Sequence, residues 1–139
     1  MSSVFTKIMS GELPGHFIWK DDICAAFLSI NPIATGHTLV VPVLEVDHWL
    51  DLPPDTNSHL INVAQIIGQA QMTAYNPERV GIVIAGFEVP HTHLHVIPIN
   101  GMQDLDFTRA ATTVDQSLLS AAAVDLTSAL IENGNSPKV

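Results

Sequence analysis

His91, His93 and His95 occupy every second position of a run that continues through Val96 and Ile97. In a β-strand the side-chain period is two, so all three imidazoles project from one face while Thr92, Leu94 and Val96 face the other. One histidine on an apolar face is ordinarily a core residue with a satisfied hydrogen bond, but three in register need three partners. Chemistry is therefore the expected role. A neutral imidazole is the commonest zinc ligand. A rise of about 3.3 Å per residue, however, puts His91 and His95 roughly 13 Å apart at Cα. No Cys, Asp or Glu lies within the triplet, and the nearest acid, Glu88, falls in the preceding turn. The spacing thus predicts no metal centre. The other chemistry is nucleophilic: an imidazole attacks phosphorus, a hydrogen bond on its second nitrogen fixes the tautomer, and neighbouring imidazoles donate to the non-bridging oxygens. Water then removes the phosphoryl or nucleotidyl group.

The elements that must position these residues are legible in the pattern of the chain. Val4, Phe5, Ile8 and Met9 recur at helical spacing before Gly11 and predict a short N-terminal helix. Two β-rich runs follow, near 16–20 and 23–30, with Asp21-Asp22 as the hairpin turn. Asn31-Pro32 and Gly36 lead into a third strand over 37–43. The segment 55–75 puts Leu60, Val63, Ala64, Ile67, Ala70 and Ala74 on one face and is the main helix. Runs at 79–85 and 91–99 are the last two strands, expected to pair as a hairpin across a short connection containing Gly86. Thr113 and Gln116 suggest a capping box for a final helix whose Leu119, Ala122, Leu126, Ala129 and Leu130 form an apolar stripe. Asn133 to Pro137 closes that helix, and a frayed tail is expected after it. Five strands with segregated helices indicate an α+β domain.

Composition narrows the function classes. The 139 residues, 47% hydrophobic, are the length of one domain with a sufficient core, expected to span 1–139. Charged residues are only 14%, which leaves apolar surface and predicts a homo-oligomer. A formal charge of −9 opposes binding to nucleic acid, although backbone amides and imidazoles in a buried site can still hold a small phosphate ester. No apolar run reaches the length of a membrane span, and residues 1–14 show no apolar leader core, so a cytoplasmic protein is expected. The single cysteine, Cys24, reads as a small buried hydrophobe, and His16, His48 and His59 as surface histidines.

The segment Pro90-His91-Thr92-His93-Leu94-His95-Val96-Ile97-Pro98 resembles the signature of the histidine triad (HIT) family. The match extends upstream in family order through Phe5-x-Lys7-Ile8, Gly11-x-Leu13-Pro14, Asp21-Asp22, Ala26-Phe27, Ile30-Asn31-Pro32 and Gly36 to Pro42. It covers about residues 4–99, leaving 100–139 as a C-terminal extension. The likeness is strongest to short, acidic HIT-like proteins of actinobacteria. It implies a HIT-like fold with a five-stranded antiparallel sheet, a homodimer, and no cofactor. The implied activity is hydrolysis or transfer of a purine nucleoside monophosphate from a phosphoramidate or phosphoanhydride. By residue matching, His93 is the nucleophile that carries the nucleotidyl group, His95 and His37 line the phosphate pocket, and His91 orients His93. Phe5, Ile8, Phe27, Ile30 and Leu39 match the apolar nucleobase cleft, although ordinary core is the competing reading, equally weighted for Leu39.

Two departures bear on substrate recognition. Ser29 stands where most of the family has an Asp that binds the ribose hydroxyls, and a hydroxyl does not replace that bidentate acceptor. Gly86-Phe87-Glu88-Val89 stands where many members have Gly-Gln and a small polar residue, which places Glu88 and Val89 among the substrate-binding positions on the leaving-group side. A nucleotide-binding dimer with little turnover and a metal-binding protein remain as alternative readings.

Overall fold

A computed structural model describes residues 2–138. Met1, counted above in the leader region, and Val139, in the expected tail, lie outside the described residues. In chain order the elements are α1 (Val4–Met9), β1 (Phe17–Lys20), β2 (Cys24–Leu28), β3 (Thr38–Pro42), α2 (Pro54–Tyr75), β4 (Arg79–Val83), β5 (Leu94–Ile99) and α3 (Gln116–Glu132). All strand pairs are antiparallel and the sheet order is β1-β2-β3-β5-β4. This is the α+β architecture with a five-stranded antiparallel sheet, a main helix and shorter terminal ones that the sequence implies.

The period of two divides the sheet into a structural face and a reactive one. Cys24, Ala26 and Leu28 of β2, Val40 of β3, and Leu94 and Val96 of β5 face the helices. There they pack with Leu60, Val63, Ala64, Ile67 and Ala70 of α2 and with all five residues of the expected α3 stripe. On the other face Ala25, Phe27, Leu39 and Val41 form a second cluster capped by Phe5 of α1. Because α2 and α3 cover only the first face, the second is left to shape a cleft.

Three local expectations are corrected by where backbone hydrogen bonds go. The last strand begins at Leu94 rather than at His91, because the His91 N–H bonds to Val89 O and the Thr92 N–H to Val46 O instead of joining a ladder. The β4–β5 pair forms as expected, but its connection, 84–93, is longer than the short turn predicted. At the start of α3, Asp115 takes the cap position without a side-chain bond, and the Thr113–Gln116 capping box does not form.

Asp21 is the pin of the β1–β2 turn. Its Oδ1 accepts from the N–H groups of Ile23 and Cys24, and its Oδ2 from Trp19 Nε1 and His59 Nε2, the last at 2.7 Å. Burial alone would raise this carboxyl's pKa, yet the four donors hold it down to about 2. His59, expected as a surface residue, is therefore half-buried and tied to the turn. Cys24 is buried beside it, and burial together with Asp21 pushes its thiol far above the usual range. Among the described residues, no helix is long and apolar enough to cross a membrane.

Candidate active site

The tautomers of four buried histidines follow by elimination from their partners. A carbonyl oxygen only accepts, so His93 Nδ1 must carry the proton it donates to His91 O at 2.7 Å. Its Nε2 is left with a lone pair. A backbone N–H only donates, so His37 Nδ1, bonded to Ile33 N at 3.0 Å, must accept. His37 Nε2 then holds the proton and donates to His95 Nδ1 at 2.9 Å. His95 in turn must carry its proton on Nε2. The two nitrogens left over, a lone pair on His93 and an N–H on His95, are those that a nucleophile and an oxyanion donor require.

Both local and distant contacts hold these side chains in place. Gly36 turns the chain into β3 at φ +88°, and any Cβ there would stand 2.5 Å from the Tyr75 ring, so only glycine sets His37 at this place. His91 does not line the cleft. Its Nε2 donates to Pro42 O at 2.8 Å and its Nδ1 accepts from the Ser3 hydroxyl at 2.6 Å. Ser3 is also the N-cap of α1, its Oγ accepting from Thr6 N, while Glu45 accepts from the Ser3 N–H and the Thr6 hydroxyl. One serine thus joins the first helix to the histidine whose carbonyl orients His93. Phe5 of the same helix meets the His93 ring edge-on, with centroids 4.8 Å apart.

Burial sets the charge state. It pushes His37 down to about 3, helped by neighbouring His95 and His93. It pushes His95 down to about 4, with His93 adding and Glu88 opposing. His91 is lowered too, chiefly by burial, against the Pro42 bond and Glu45. At neutral pH all three are uncharged, and the site's donors are neutral N–H groups rather than imidazolium ions.

The cleft is a cavity of about 330 Å³, within the usual range for a small-molecule site. Phe5, Ile8, Phe27, Ser29, Ile30, Leu39, Glu88 and Val89 all line it, as do His37, His93 and His95. Leu39 is both core and wall, since it is buried in the Phe5–Phe27 cluster and still borders the cavity. Ile30 stands exposed, at 63%. Ser29 is buried, and its Oγ already accepts from the Asn31 N–H at 3.1 Å.

The far wall comes from residues the sequence reading did not select. Phe107 packs edge-on against His95, with centroids 4.8 Å apart, and Ala110 and Gln116 complete that side. Asn31 Nδ2 donates to the carbonyls of Ala111 and Thr112, and the Ala111 N–H to Pro32 O, which fastens the C-terminal segment over the cleft. His16 is half-buried there and bonds Gln116 Oε1 at 2.8 Å, so it is not a free surface histidine. A serine directly before an apolar helical pattern is a cap signal that could have found Ser3. No local pattern marks Phe107.

Two groups of side chains approach metal-ligand spacing. Glu88, His93 and His95 each offer an atom within 4.8 Å of the others. The expectation that no carboxylate reaches the triplet is therefore corrected, because the 84–93 connection folds Glu88 back to 3.9 Å from His93 Nε2. The hydrogen-bond chain still opposes a metal, since ligation by His95 Nε2 would displace the proton that the Ile33–His37 relay places there. Asp21, Cys24 and His59 form the second group. Its carboxylate is saturated by four N–H donors and its thiol is held protonated, which does not fit a metal site.

The HIT domain model matches residues 10–102. An uncharacterized HIT-like protein of Borreliella burgdorferi is 38% identical over 102 residues, 68% of this chain and 73% of that one. The adenylylsulfatase HINT3 of Arabidopsis thaliana is 31% identical across 68% of this chain and 51% of its own length. The adenosine 5′-monophosphoramidase HNT1 of Saccharomyces cerevisiae is likewise 31% identical, over 68% of this chain and 61% of its own. Among solved structures, a zinc-bound histidine triad family protein from Mycobacterium smegmatis superposes with a TM-score of 0.81 at 29% identity, covering 96% of both chains. With its five-stranded sheet and the histidine cluster at its reactive face, this chain belongs to the HIT domain family.

Proposed function

We propose that the protein is a nucleotidyl hydrolase or transferase that acts on a phosphoramidate or phosphoanhydride of a purine nucleoside monophosphate through a covalent intermediate on His93. The observation that carries this reading is the pairing of a lone pair on His93 Nε2 with an N–H on His95 in one apolar-walled cavity. His93 Nε2 forms a bond to phosphorus while the bond from phosphorus to the leaving atom breaks, and its electron pair departs with that atom. The Nδ1–H bond to His91 O persists and stabilises the positive charge that develops on the ring. His95 donates to a non-bridging oxygen. Water then attacks phosphorus, the His93 lone pair is restored, and the water proton passes to solvent. An adenosine 5′-monophosphoramidase and an adenylylsulfatase among its relatives support this substrate class.

Mixing the protein with adenosine 5′-phosphoramidate in EDTA and quenching into denaturant tests the proposal. Mass spectrometry should find a nucleotidyl adduct on His93, and turnover should not need added metal. Turnover without any adduct would overturn the covalent route, and activity lost in EDTA but restored by zinc would favour the metal reading.

Ribose recognition should be weak. The Ser29 hydroxyl accepts from its own loop, and a neutral hydroxyl gives hydrogen bonds about half as strong as a carboxylate's. Ser29→Asp is expected to tighten adenosine monophosphate binding by about tenfold, and to do nothing for 2′,3′-dideoxyadenosine monophosphate. Equal affinity of both variants for the ribonucleotide, by calorimetry, would mean that this position does not read the sugar.

The exposed apolar side chains also support the homodimer that the resemblance implies and that the low charged fraction favours. Ile82, Phe87 and Met102 are among them. Sedimentation at micromolar concentration should give a species of twice 15.0 kDa. A 15.0 kDa species alone would refute it.

A further inference from the structure

We propose that Glu88 selects the leaving group, favouring substrates that release an amine over those that release an oxyanion such as sulfate or phosphate. The inference rests on the covalent reading of His93 and goes beyond it to the class of group that departs.

Glu88 is the only residue lining the cavity, among those described, whose side chain is Asp, Glu, Lys or Arg. Its Oε2 lies 3.9 Å from His93 Nε2, too far for a hydrogen bond and within the space that a reacting phosphoryl group and its substituents must enter. The side chain is 61% exposed, so it can swing aside for phosphorus while remaining beside the departing group. Burial holds His37 and His95 neutral, and the positive charge that His93 gains as it attacks is common to both substrate classes. Glu88 is the one carboxylate that a departing group meets in the cavity, among the described residues.

That charge acts in opposite directions on the two substrate classes. A phosphoramidate nitrogen takes a proton from solvent and becomes cationic. The P–N bond then breaks, its electron pair stays on nitrogen, and a neutral amine leaves. The Glu88 carboxylate can accept an N–H hydrogen bond from the cationic nitrogen, a charge-assisted contact strongest at the moment of cleavage. With a sulfate or phosphate leaving group the P–O bond breaks and its electron pair departs on oxygen. Negative charge then grows toward Glu88 with no Lys or Arg of the cavity to balance it. Unit charges about 4 Å apart alter an equilibrium roughly fivefold in bulk water and far more near a protein surface, so a selectivity change of about tenfold or more is expected.

The test compares kcat/KM for an N-alkyl adenosine 5′-phosphoramidate with that for adenosine 5′-phosphosulfate. Wild type should prefer the amide, and Glu88→Gln should lower that preference about tenfold or more, while Glu88→Asp keeps part of it. A ratio changed less than twofold by Glu88→Gln, or a wild-type preference for the sulfate, would overturn the inference. Calorimetric binding of both compounds in a His93→Ala background, with and without Glu88→Gln, separates the two ideas. If Glu88→Gln improves relative binding of the phosphosulfate there while wild type forms no His93 adduct, only the covalent reading falls. If an adduct forms but the amide-to-sulfate ratios do not move, only the selection falls. If neither compound binds, both fall.

Discussion

His93→Ala is expected to abolish both the covalent adduct and turnover. Loss of one oxyanion donor typically costs about 10²- to 10³-fold. Loss of the nucleophile in a covalent enzyme costs far more, on the order of 10⁶-fold in a well-studied protease. The structure gives a reason to expect the larger figure, because none of the other three clustered histidines presents a free lone pair to the cavity. His91 has both nitrogens engaged behind the wall, His37 is engaged by Ile33 and His95, and His95 presents a proton. The fold should survive, since the His93 side chain bonds only to its own segment and borders an existing cavity. An unchanged circular dichroism spectrum with lost turnover is therefore the expected pair of results. Turnover near the wild-type rate with a phosphoramidate would show that the lone pair on His93 is not the attacking group.

Periodicity made the sheet and its two faces legible. Alternation in β2 sends Cys24, Ala26 and Leu28 one way and Ala25 and Phe27 the other, and the α3 stripe packs residue for residue as its spacing indicates. The cleft residues were legible for a different reason, the order in which family motifs recur, and every substrate-binding position so chosen borders the cavity. What stayed hidden depends on contacts distant in sequence. Ser3 reaches His91 across 88 positions, Asn31 reaches Ala111 across 80, and Phe107 meets His95 from a segment with no repeating pattern. Alternation continues back to His91 and predicts a strand start there, whereas the strand begins at Leu94 because the partner for the Thr92 N–H is a loop carbonyl, Val46. Spacing likewise gives no sign that Glu88, a substrate-binding position by the resemblance, approaches His93 Nε2 to 3.9 Å, because an ideal strand says nothing about a connection that folds back on it.

His37 should act through His95 alone, which makes its role measurable. His95→Ala removes the N–H aimed at the phosphoryl oxygen and is expected to lower kcat by about 10²- to 10³-fold. His37→Ala leaves that ring in place but removes the donor to its Nδ1, so the proton on His95 is free to move to Nδ1 and the site loses its donor part of the time. Outer partners of this kind are worth about 10- to 100-fold where they orient metal ligands. A similar loss in kcat is expected here. The double variant should be no slower than His95→Ala, because two residues that act through one hydrogen bond are not additive. Nitrogen NMR should show His95 as the Nε2–H tautomer in wild type and as a mixture in His37→Ala, and His37→Gln, whose amide can donate from nearly the same place, should restore the tautomer. The same pair also ties stability to pH. Their folded pKa values, about 3 and about 4, lie below the usual 6.5, so the unfolded chain binds more protons between those limits. Stability should therefore fall as pH drops from about 6.5 toward 4, and His37→Gln should flatten that slope. Additive losses in the double variant, or an unchanged His95 tautomer in His37→Ala, would mean that His37 contributes by some route other than the relay from Ile33.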